Sequence, residues 1–297
     1  MKKFKIALIG NPNCGKSTIF NALTGSKQRV GNWPGVTVER MEGIYAFNEV
    51  EFLVVDLPGI YSFSVHTFDE RISREFILKG NPDVVVNIID ATNIERNLYL
   101  TTQIIEMRKR PLVAVLNMKD LAERRGIKID LNHLSRHLDC KVVRTVANKK
   151  NGIEDLKEAI YEACAFAKLS EAKVRYDDII EESLSKISNA VSPLSEQLKV
   201  NPRWLAIKLL EDDQIGSELT ENKFSEIVSI EAQKIRTHTG EDAEFAVIEG
   251  RYGFIRGLAR DVISRDIQFR KTITDSVDMF ALNRFLGIPI FFAVMYF

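Results

Sequence analysis

The chain has 297 residues, of which 45% are hydrophobic and 28% are charged, so it can form two globular domains with sizeable cores. Lysine and arginine together number 41, and aspartate and glutamate also number 41. This balance leaves no overall field that would attract nucleic acid or anionic lipid, and we expect no nucleic-acid partner.

The cysteines and the N-terminus indicate the cellular compartment. Cys14, Cys140 and Cys164 are odd in number and have no C-x-x-C spacing. This pattern argues against a disulfide framework or a zinc site and favours a reducing environment such as the cytosol. Residues 1–9 are a short, lysine-bearing stretch that leads directly into a glycine-rich motif, so no signal peptide is predicted.

Short runs of Val, Ile and Leu alternate with longer helical patterns from residue 4 to residue 158. This alternation predicts an α/β fold in which crossover helices join the strands of a mostly parallel sheet. The six predicted strands are residues 4–9, 44–48 (as an antiparallel edge), 51–56, 83–90, 112–117 and 141–144. Residues 83–90 are too continuously apolar for a half-exposed strand, which places them in the centre of the sheet.

A glycine-rich motif follows the first predicted strand and precedes a helical pattern. Its residues are Gly10, Asn11, Pro12, Asn13, Cys14, Gly15, Lys16 and Ser17, with Thr18 next. Sequence and context match the phosphate-binding loop, in which backbone N–H groups, the positive end of a helix and a lysine surround the phosphates. Lys16 is the predicted lysine, and Ser17 is a predicted magnesium ligand. The alternative is a strand-to-helix turn that binds no ligand.

The segment 32–39 reads Asn-Trp-Pro-Gly-Val-Thr-Val-Glu and carries one well-placed hydroxyl, that of Thr37. In a GTP switch, such a threonine binds magnesium when the terminal phosphate is present and releases it after hydrolysis. We therefore predict that Gly35, Val36 and Thr37 contact the nucleotide and that Thr37 binds magnesium. A structural β-turn is the alternative.

Asp56, Leu57, Pro58 and Gly59 stand at the end of the next apolar strand. An aspartate at such a place can reach magnesium through water, and a glycine N–H can contact the terminal phosphate. Asp56 is therefore a predicted magnesium ligand, and Gly59 is predicted to contact the reacting phosphate. The same four residues also form a common type of turn, which is the alternative interpretation.

Asn117, Met118, Lys119 and Asp120 close another apolar strand and match a relaxed N-K-x-D element, which separates guanine binders from adenine binders. The Asp120 carboxylate can accept the ring N–H and the exocyclic amine of guanine, a pattern that adenine cannot offer. An unpaired carboxylate would reject ATP. We predict that Asn117 and Asp120 read the base and that Met118 lies beside it.

Residues 145–147 follow the last predicted strand, and backbone N–H groups at this place would contact the base. We assign Val146, Ala147 and Asn148 to this part of the site. Val146 stands where a serine is usual, which predicts a weakened base contact and fast exchange of nucleotide.

The strand pattern ends near residue 168, and residues 176–265 read as helices separated by Pro and Gly, which predicts a second, all-α domain. One predicted helix carries apolar residues at spacings of three or four on a single face: Ile179, Ile180, Leu184, Ile187 and Val191. Asn201 followed by Pro202 predicts the cap and first turn of the next helix.

The final residues, 285–297, form an uncharged apolar run. It is shorter than the stretch of about 20 residues that a helix needs to span a bilayer. From composition, a buried terminal helix, a docking tail and a truncated transmembrane start after Arg284 are all open. His133 and His137 lie four residues apart and could hold a metal, but no third ligand is in view and a solvated helix face is favoured.

Together with these motifs, residues 31–39, 56–62 and 90–98 resemble the ferrous iron transport protein B (FeoB) family over nearly the whole nucleotide-binding region. Residues 282–291 resemble that family's entry into its membrane domain. The resemblance therefore favours a transmembrane start for the apolar tail.

The resemblance implies three parts of the chain. Residues 1–167 would form a Ras-like P-loop GTPase domain with a six-stranded, mostly parallel sheet. Residues 168–270 would form a small helical spacer similar to a guanine-nucleotide-dissociation inhibitor, and residues 271–297 a linker and the truncated start of the first transmembrane segment.

The implied function is that of the cytoplasmic, GTP-binding and slowly GTP-hydrolysing region of a ferrous iron uptake transporter. The nucleotide state would gate or drive iron transport through a downstream membrane domain at the prokaryotic inner membrane. The implied cofactors are GTP or GDP, Mg²⁺ and K⁺. The implied partners are the protein's own membrane domain, further copies of the chain and small accessory iron-transport proteins.

The implied mechanism differs from that of Ras-like enzymes, which place a water-orienting glutamine directly after the glycine of the aspartate-glycine element. Ile60 stands there and cannot hydrogen-bond water, which predicts slow hydrolysis. In the family, the asparagine that matches Asn13 helps to hold K⁺, whose charge can replace an arginine finger. Lys16, Thr37 and Gly59 complete the implied catalytic set. A turn-forming role for Asn13 is the alternative.

Two other functions remain open at this stage. A soluble GTPase of ribosome assembly or tRNA modification shares the motifs but is expected to carry a basic RNA-binding domain, whereas this chain is charge-neutral. A pseudo-GTPase that only binds nucleotide and signals is compatible with Ile60 and Val146.

Overall fold

The structure is a computed structural model and describes residues 2–25, 28–64, 67–265 and 296. The predicted linker and transmembrane start at 271–297 lie outside the described residues, apart from Tyr296. Across the described ranges, no helix combines the length and the apolar character that crossing a membrane requires.

The described residues form nine strands and eleven α-helices. The strands are β1 (Lys3–Gly10), β2 (Gln28–Asn32), β3 (Glu39–Phe47), β4 (Val50–Asp56), β5 (Val84–Asp90), β6 (Leu112–Asn117), β7 (Ile127–Ile129), β8 (Lys141–Arg144) and β9 (Ile263–Arg265). The helices are α1 (Lys16–Thr24), α2 (Phe68–Lys79), α3 (Ile94–Met107), α4 (Lys119–Arg124), α5 (Leu131–Leu138), α6 (Ile153–Phe166), α7 (Asp178–Leu198), α8 (Pro202–Leu210), α9 (Gln214–Thr220), α10 (Ser225–Thr239) and α11 (Ala243–Val262).

Seven strands form one sheet in the order β2-β3-β4-β1-β5-β6-β8. The strands from β4 to β8 in this order run parallel, whereas β3 pairs antiparallel with both β2 and β4. Helices cover both faces of the sheet, so β5 is buried from Val84 to Ile89 and β6 is buried throughout. The α/β fold class is confirmed, and the apolar segment at 83–90 is an interior strand.

The sheet has seven strands rather than the six predicted. The additional strand is β2, which is mostly exposed and carries polar residues such as Arg29 and Asn32, so no apolar alternation marks it. Main-chain pairing with β3 holds it in place, with Gln28 opposite Gly43. The predicted antiparallel edge, β3, therefore lies one position in from the edge.

A second sheet, which the sequence does not predict, consists of β7 and β9. Ile127 lies opposite Arg265 and Ile129 lies opposite Ile263 in an antiparallel pair. Each strand has only three residues, too few to show a period of two. The end of the predicted all-α region therefore includes one strand that pairs with the first domain.

Helices α7 to α11 form the helical domain that was predicted. The apolar stripe of α7 is buried at four of its five positions: Ile180, Leu184, Ile187 and Val191, with Ile179 partly buried. The Asn201 side chain caps α8 as predicted, because its Oδ1 accepts the backbone N–H groups of Arg203 at 2.9 Å and Trp204 at 3.2 Å. The domain boundaries at 167 and 270 stay predictions.

A buried group of charges joins the two domains, and we call it the interdomain ion cluster: Arg74, Glu106, Lys208, Glu211, Asp213 and Arg251. Arg251 of α11 is fully buried, and its Nη2 lies 2.8 Å from Glu106 Oε2 on α3. The same guanidinium pairs with Glu211. Arg74 of α2 lies 3.0 Å from Asp213 at the start of α9. These pairs fix the helical domain against α2 and α3.

Candidate functional site

The candidate site lies at the carboxyl end of the parallel strands. Parallel strands that end at one edge bring their following loops together, which is where α/β proteins bind ligands. The loops after β1, β4, β6 and β8 carry the motifs that the sequence singled out.

The predicted phosphate loop connects β1 to α1. Asn13 and Gly15 have left-handed backbone φ angles of 64° and 87°. A Cβ atom on Gly15 would lie 2.2 Å from Asn117 Nδ2, so both the backbone angle and the close approach require glycine there. α1 begins at Lys16, and its first N–H groups therefore face this loop, as a phosphate site requires.

Lys16 and Asp56 meet at the base of the loop. Lys16 Nζ lies 2.5 Å from Asp56 Oδ1, and the two side chains are 12% and 6% exposed. Burial raises the pKa of Asp56, although the charge of Lys16 opposes the shift. The contact brings the phosphate loop and the aspartate-glycine element together.

The donors at this end of the site fit a magnesium ion, which prefers carboxylate and hydroxyl oxygens. Asp56 offers a buried carboxylate, and Ser17 offers an exposed hydroxyl in the first turn of α1. When bound, Mg²⁺ would neutralise phosphate charge there.

The loop after β4 lies against the phosphate loop. The Ile60 N–H donates to the Gly10 carbonyl oxygen at 3.2 Å. A Cβ atom on Gly59 would lie 3.2 Å from Pro12 Cα, a distance that only a shift of the main chain would relieve. Gly59 therefore permits the close approach of the two loops. Ile60 is 2% exposed and packs into the core.

Trp33 anchors the loop that carries Gly35, Val36 and Thr37. Its indole is buried and meets the ring of Phe76 on α2 edge-on, with ring centroids 5.5 Å apart. Gly35 has a left-handed φ of 76°, and Thr37 lies on the exposed part of the loop. The nucleotide and magnesium contacts of this loop stay predictions.

A cavity of about 300 Å³ lies beside the phosphate loop, and we call it the base pocket. Its walls are Gly15, Thr18, Asn117, Met118, Asp120, Leu121, Arg124, Val146, Ala147, Asn148 and Lys149. The structure thus brings together every residue that the sequence assigned to base recognition. Leu121, Arg124 and Lys149 line the same pocket and are missed by motif reasoning.

Asn117 joins the phosphate loop to the base pocket. Its Nδ2 donates to the Cys14 carbonyl oxygen at 3.0 Å. Its Oδ1 accepts from the Thr145 hydroxyl and from the Ala147 N–H, both at 3.2 Å. The side chain is 3% exposed, so this bracing adds a structural role to the predicted role in base recognition.

Two N–H groups that were predicted to back the base have partners inside the protein. The Val146 N–H donates to the Asn151 carbonyl oxygen at 3.1 Å, and the Ala147 N–H donates to Asn117. Contacts of residues 146–148 with a base therefore stay a prediction. These two hydrogen bonds hold the loop after β8 in the conformation that lines the pocket.

Asp120 stands in the first turn of α4, which begins after Met118 in a left-handed conformation with φ of 60°. Lys149 Nζ lies 2.9 Å from Asp120 Oδ2. A hydrogen bond from Lys149 lowers the pKa of Asp120, so this carboxyl group is ionised at neutral pH. The sequence does not predict a role for Lys149 in the pocket, because it stands beside Lys150 and two adjacent lysines are typical of a solvated surface.

The histidines that could have formed a metal site face carboxylates instead. His133 Nδ1 lies 3.1 Å from Asp130 Oδ2, and His137 Nε2 lies 3.3 Å from Asp261 Oδ2. In the ranges that the structure describes, no group of three or more His, Cys, Asp or Glu is placed to hold a metal ion.

The fold and the site define the class of protein: an α/β P-loop GTPase-like G domain with a mostly parallel sheet, followed by a helical domain. The family model described as ferrous iron transport protein B matches residues 4–160. The model described as the FeoB cytosolic helical domain matches residues 176–264. The chain belongs to the ferrous iron transport protein B family.

Curated relatives carry the name Fe(2+) transporter FeoB. The protein of Escherichia coli K12 is 41% identical over 306 residues, which cover 100% of this chain and 38% of that protein. The protein of Salmonella typhimurium LT2 is 39% identical with the same coverage. The chain thus spans about 38% of the length of the curated relatives it matches.

Solved structures of the same family resemble the chain. A GDP-bound mutant of the S. thermophilus FeoB G-domain has a TM-score of 0.78 and 39% identity, over 89% of this chain and 100% of that one. The GMPPNP form of the T. maritima FeoB cytosolic domain has a TM-score of 0.76 and 33% identity, over 88% of this chain and 99% of that one.

Proposed function

We propose that the chain binds GTP and GDP, hydrolyses GTP slowly, and serves as the cytoplasmic nucleotide-dependent region of a ferrous iron transporter. The observation that carries the proposal is the link made by Asn117. Its amide bonds to the Cys14 carbonyl oxygen of the phosphate loop and lines the base pocket, so the loop that carries Lys16 lies beside the pocket that contains Asp120. A nucleoside phosphate has the matching distribution of chemical groups.

Guanine recognition rests on Asp120. Its ionised carboxylate is an acceptor only, and guanine presents two adjacent donors on its N1 and exocyclic nitrogen. Adenine presents an acceptor and no second donor there, which would leave the carboxylate unpaired. The GDP and GMPPNP complexes of the family's solved structures support the same assignment.

Hydrolysis is proposed to be slow because Ile60 is a buried hydrocarbon that cannot orient water. Asp56 and Ser17, with Thr37 after loop closure, would hold Mg²⁺. Asn13 is exposed in the phosphate loop with a left-handed backbone, which leaves its amide oxygen available to hold K⁺ near the phosphates. Added positive charge there would stabilise the transition state.

This part of the proposal predicts a selective effect of potassium. GTP turnover in KCl is expected to exceed turnover in NaCl by at least about tenfold, since fixed positive charge at the phosphates is a large catalytic term. Asn13→Gly should abolish the stimulation while the affinity for GDP changes less than about threefold, because glycine accepts the left-handed backbone of this position and only an exposed side chain is removed. Phosphate release under single-turnover conditions measures the hydrolysis rate in each salt, and equilibrium titration with GDP measures the affinity.

Equal rates in the two salts would contradict the role of potassium. Absence of turnover in either salt, with GDP still bound, would leave a nucleotide-binding module without GTPase activity. Loss of GDP binding by Asn13→Gly would show that the Asn13 side chain shapes the loop and does not act selectively on hydrolysis.

The transport role rests on the relatives that are named as Fe(2+) transporters. We propose that the chain lies at the cytoplasmic face of the cell membrane and that its nucleotide state acts on a membrane domain of the full-length protein. Further copies of the chain and small accessory iron-transport proteins are proposed partners. Uptake of ferrous iron by cells that express the full-length protein tests this role, and uptake no higher than in cells without it would contradict it.

A further inference from the structure

We propose that Lys149 is a positioning residue for guanine recognition, which holds the Asp120 carboxylate in place and ties the loop after β8 to α4. The inference rests on the proposed function and adds to it a determinant of nucleotide release. It concerns a residue that the sequence motifs do not include, on the loop after β8, which lines the base pocket together with Asp120.

The first observation is the contact itself. Lys149 Nζ lies 2.9 Å from Asp120 Oδ2, and both residues line the base pocket. The carboxylate is 25% exposed, so water and alternative rotamers are accessible to it. A fixed donor on Oδ2 reduces this freedom, while the remaining lone pairs of the carboxylate stay able to accept two N–H groups from a base.

The second observation is the way the backbone delivers Lys149. A 3-10 turn spans Ala147–Lys149, and the Lys149 N–H donates to the Val146 carbonyl oxygen at 2.9 Å. The Ala147 N–H at the start of this turn is bonded to Asn117. The turn is therefore anchored at its first residue by Asn117 and at its last residue by Asp120.

These two anchors hold in place the turn that lines the base pocket. If the Lys149 anchor is lost, the turn keeps only the Asn117 anchor, and the Asp120 carboxylate can rotate away from a bound base. Both changes weaken nucleotide binding, because ordering a mobile loop or carboxylate on binding costs free energy. The main effect is expected in the rate of release, where most affinity differences within one site appear.

The test measures release of fluorescent methylanthraniloyl-GDP, chased with unlabelled GDP in MgCl₂, from the chain and its variants. Lys149→Met should release nucleotide about two- to fivefold faster, the size expected for an exposed charged pair. Lys150→Met is the matched control, with the same charge change one residue along, and should leave the rate unchanged. Lys149→Arg keeps a donor and should restore the slow rate.

A double-mutant comparison separates positioning of Asp120 from general support of the loop. In an Asp120→Ala background, Lys149→Met should add little further acceleration, since the group on which it acts is gone. Raising the salt concentration should move the unaltered chain towards the Lys149→Met rate, because exposed pairs are screened.

The inference is overturned if Lys149→Met matches Lys150→Met, if it slows release, or if its full effect persists in the Asp120→Ala background. Each of these results would leave guanine binding by the unaltered chain intact. Failure of the unaltered chain to bind the fluorescent nucleotide would instead contradict the proposed function, and the inference with it.

Discussion

Arg251→Met is expected to lower the free energy of unfolding by about 3 to 5 kcal/mol, the range for removing one partner of a buried ion pair. The Arg251 guanidinium is fully buried and bonds to the Glu106 and Glu211 carboxylates, which are themselves 3% and 6% exposed. Methionine fills a similar volume but leaves these carboxylates with less positive charge and fewer donors. The loss of stability is therefore expected to come mainly from desolvated, unpaired charge and only to a smaller extent from lost packing.

Urea denaturation followed by circular dichroism measures this loss. Arg256→Met is the matched control, because Arg256 is exposed on the same helix and its replacement should change stability by less than about 0.5 kcal/mol. A loss below about 1 kcal/mol for Arg251→Met would contradict the electrostatic account of the interdomain ion cluster, since it would fall within the range of a surface pair.

The same cluster predicts how stability depends on pH. Burial alone would raise the pKa of Glu211, but the charges of Arg251 and Lys208 outweigh it and lower the pKa from 4.5 to about 2. A carboxylate whose pKa is lowered by folding stabilises the protein above its unfolded pKa, and this contribution is lost as the pH falls towards the folded value. Stability should therefore fall between pH 4.5 and pH 2, and less steeply in Arg251→Met.

Asp120→Asn is expected to weaken GDP binding by at least about 100-fold. A site that hydrogen-bonds its ligand loses much affinity when a donor or acceptor is mismatched. Asparagine presents one acceptor and one donor where aspartate presents acceptors only. Its donor would face the exocyclic amine of guanine, so one hydrogen bond becomes a repulsive contact. Xanthine carries a carbonyl oxygen at that position, and the variant should therefore bind xanthosine diphosphate better than GDP.

Competition of GDP and xanthosine diphosphate for the same fluorescent nucleotide measures this exchange of specificity. Asp178→Asn, on the exposed first turn of α7, is the matched control and should keep the preference for GDP. GDP affinity of Asp120→Asn within about threefold of the unaltered chain would contradict guanine recognition by Asp120, since a surface substitution can cause a change of that size.

The sequence predicts most of the fold and most of the candidate site, for reasons that the structure makes clear. β5 and β6 are buried on both faces and read as continuous apolar runs, and α7 shows a regular apolar stripe. The phosphate loop and the element around Asp120 follow strands directly, so their meeting at one edge of the sheet follows from parallel pairing alone.

What the sequence does not predict depends on pairing between distant or exposed residues. β2 is held by backbone bonds to β3 and carries no apolar period. Arg251 and Glu106 are 145 positions apart, and no local pattern distinguishes a buried arginine from a solvated one. The bracing role of Asn117 and the contact of Lys149 with Asp120 likewise need the loop after β8 in its folded place.

Equilibrium titration of the purified chain with GDP and with ADP, in the presence of MgCl₂, tests the central claim most directly. The site joins a phosphate loop to a pocket that ends in an ionised carboxylate, so GDP should bind at least about 100-fold more tightly than ADP. Equal affinity for the two nucleotides, or binding of neither, would contradict the account.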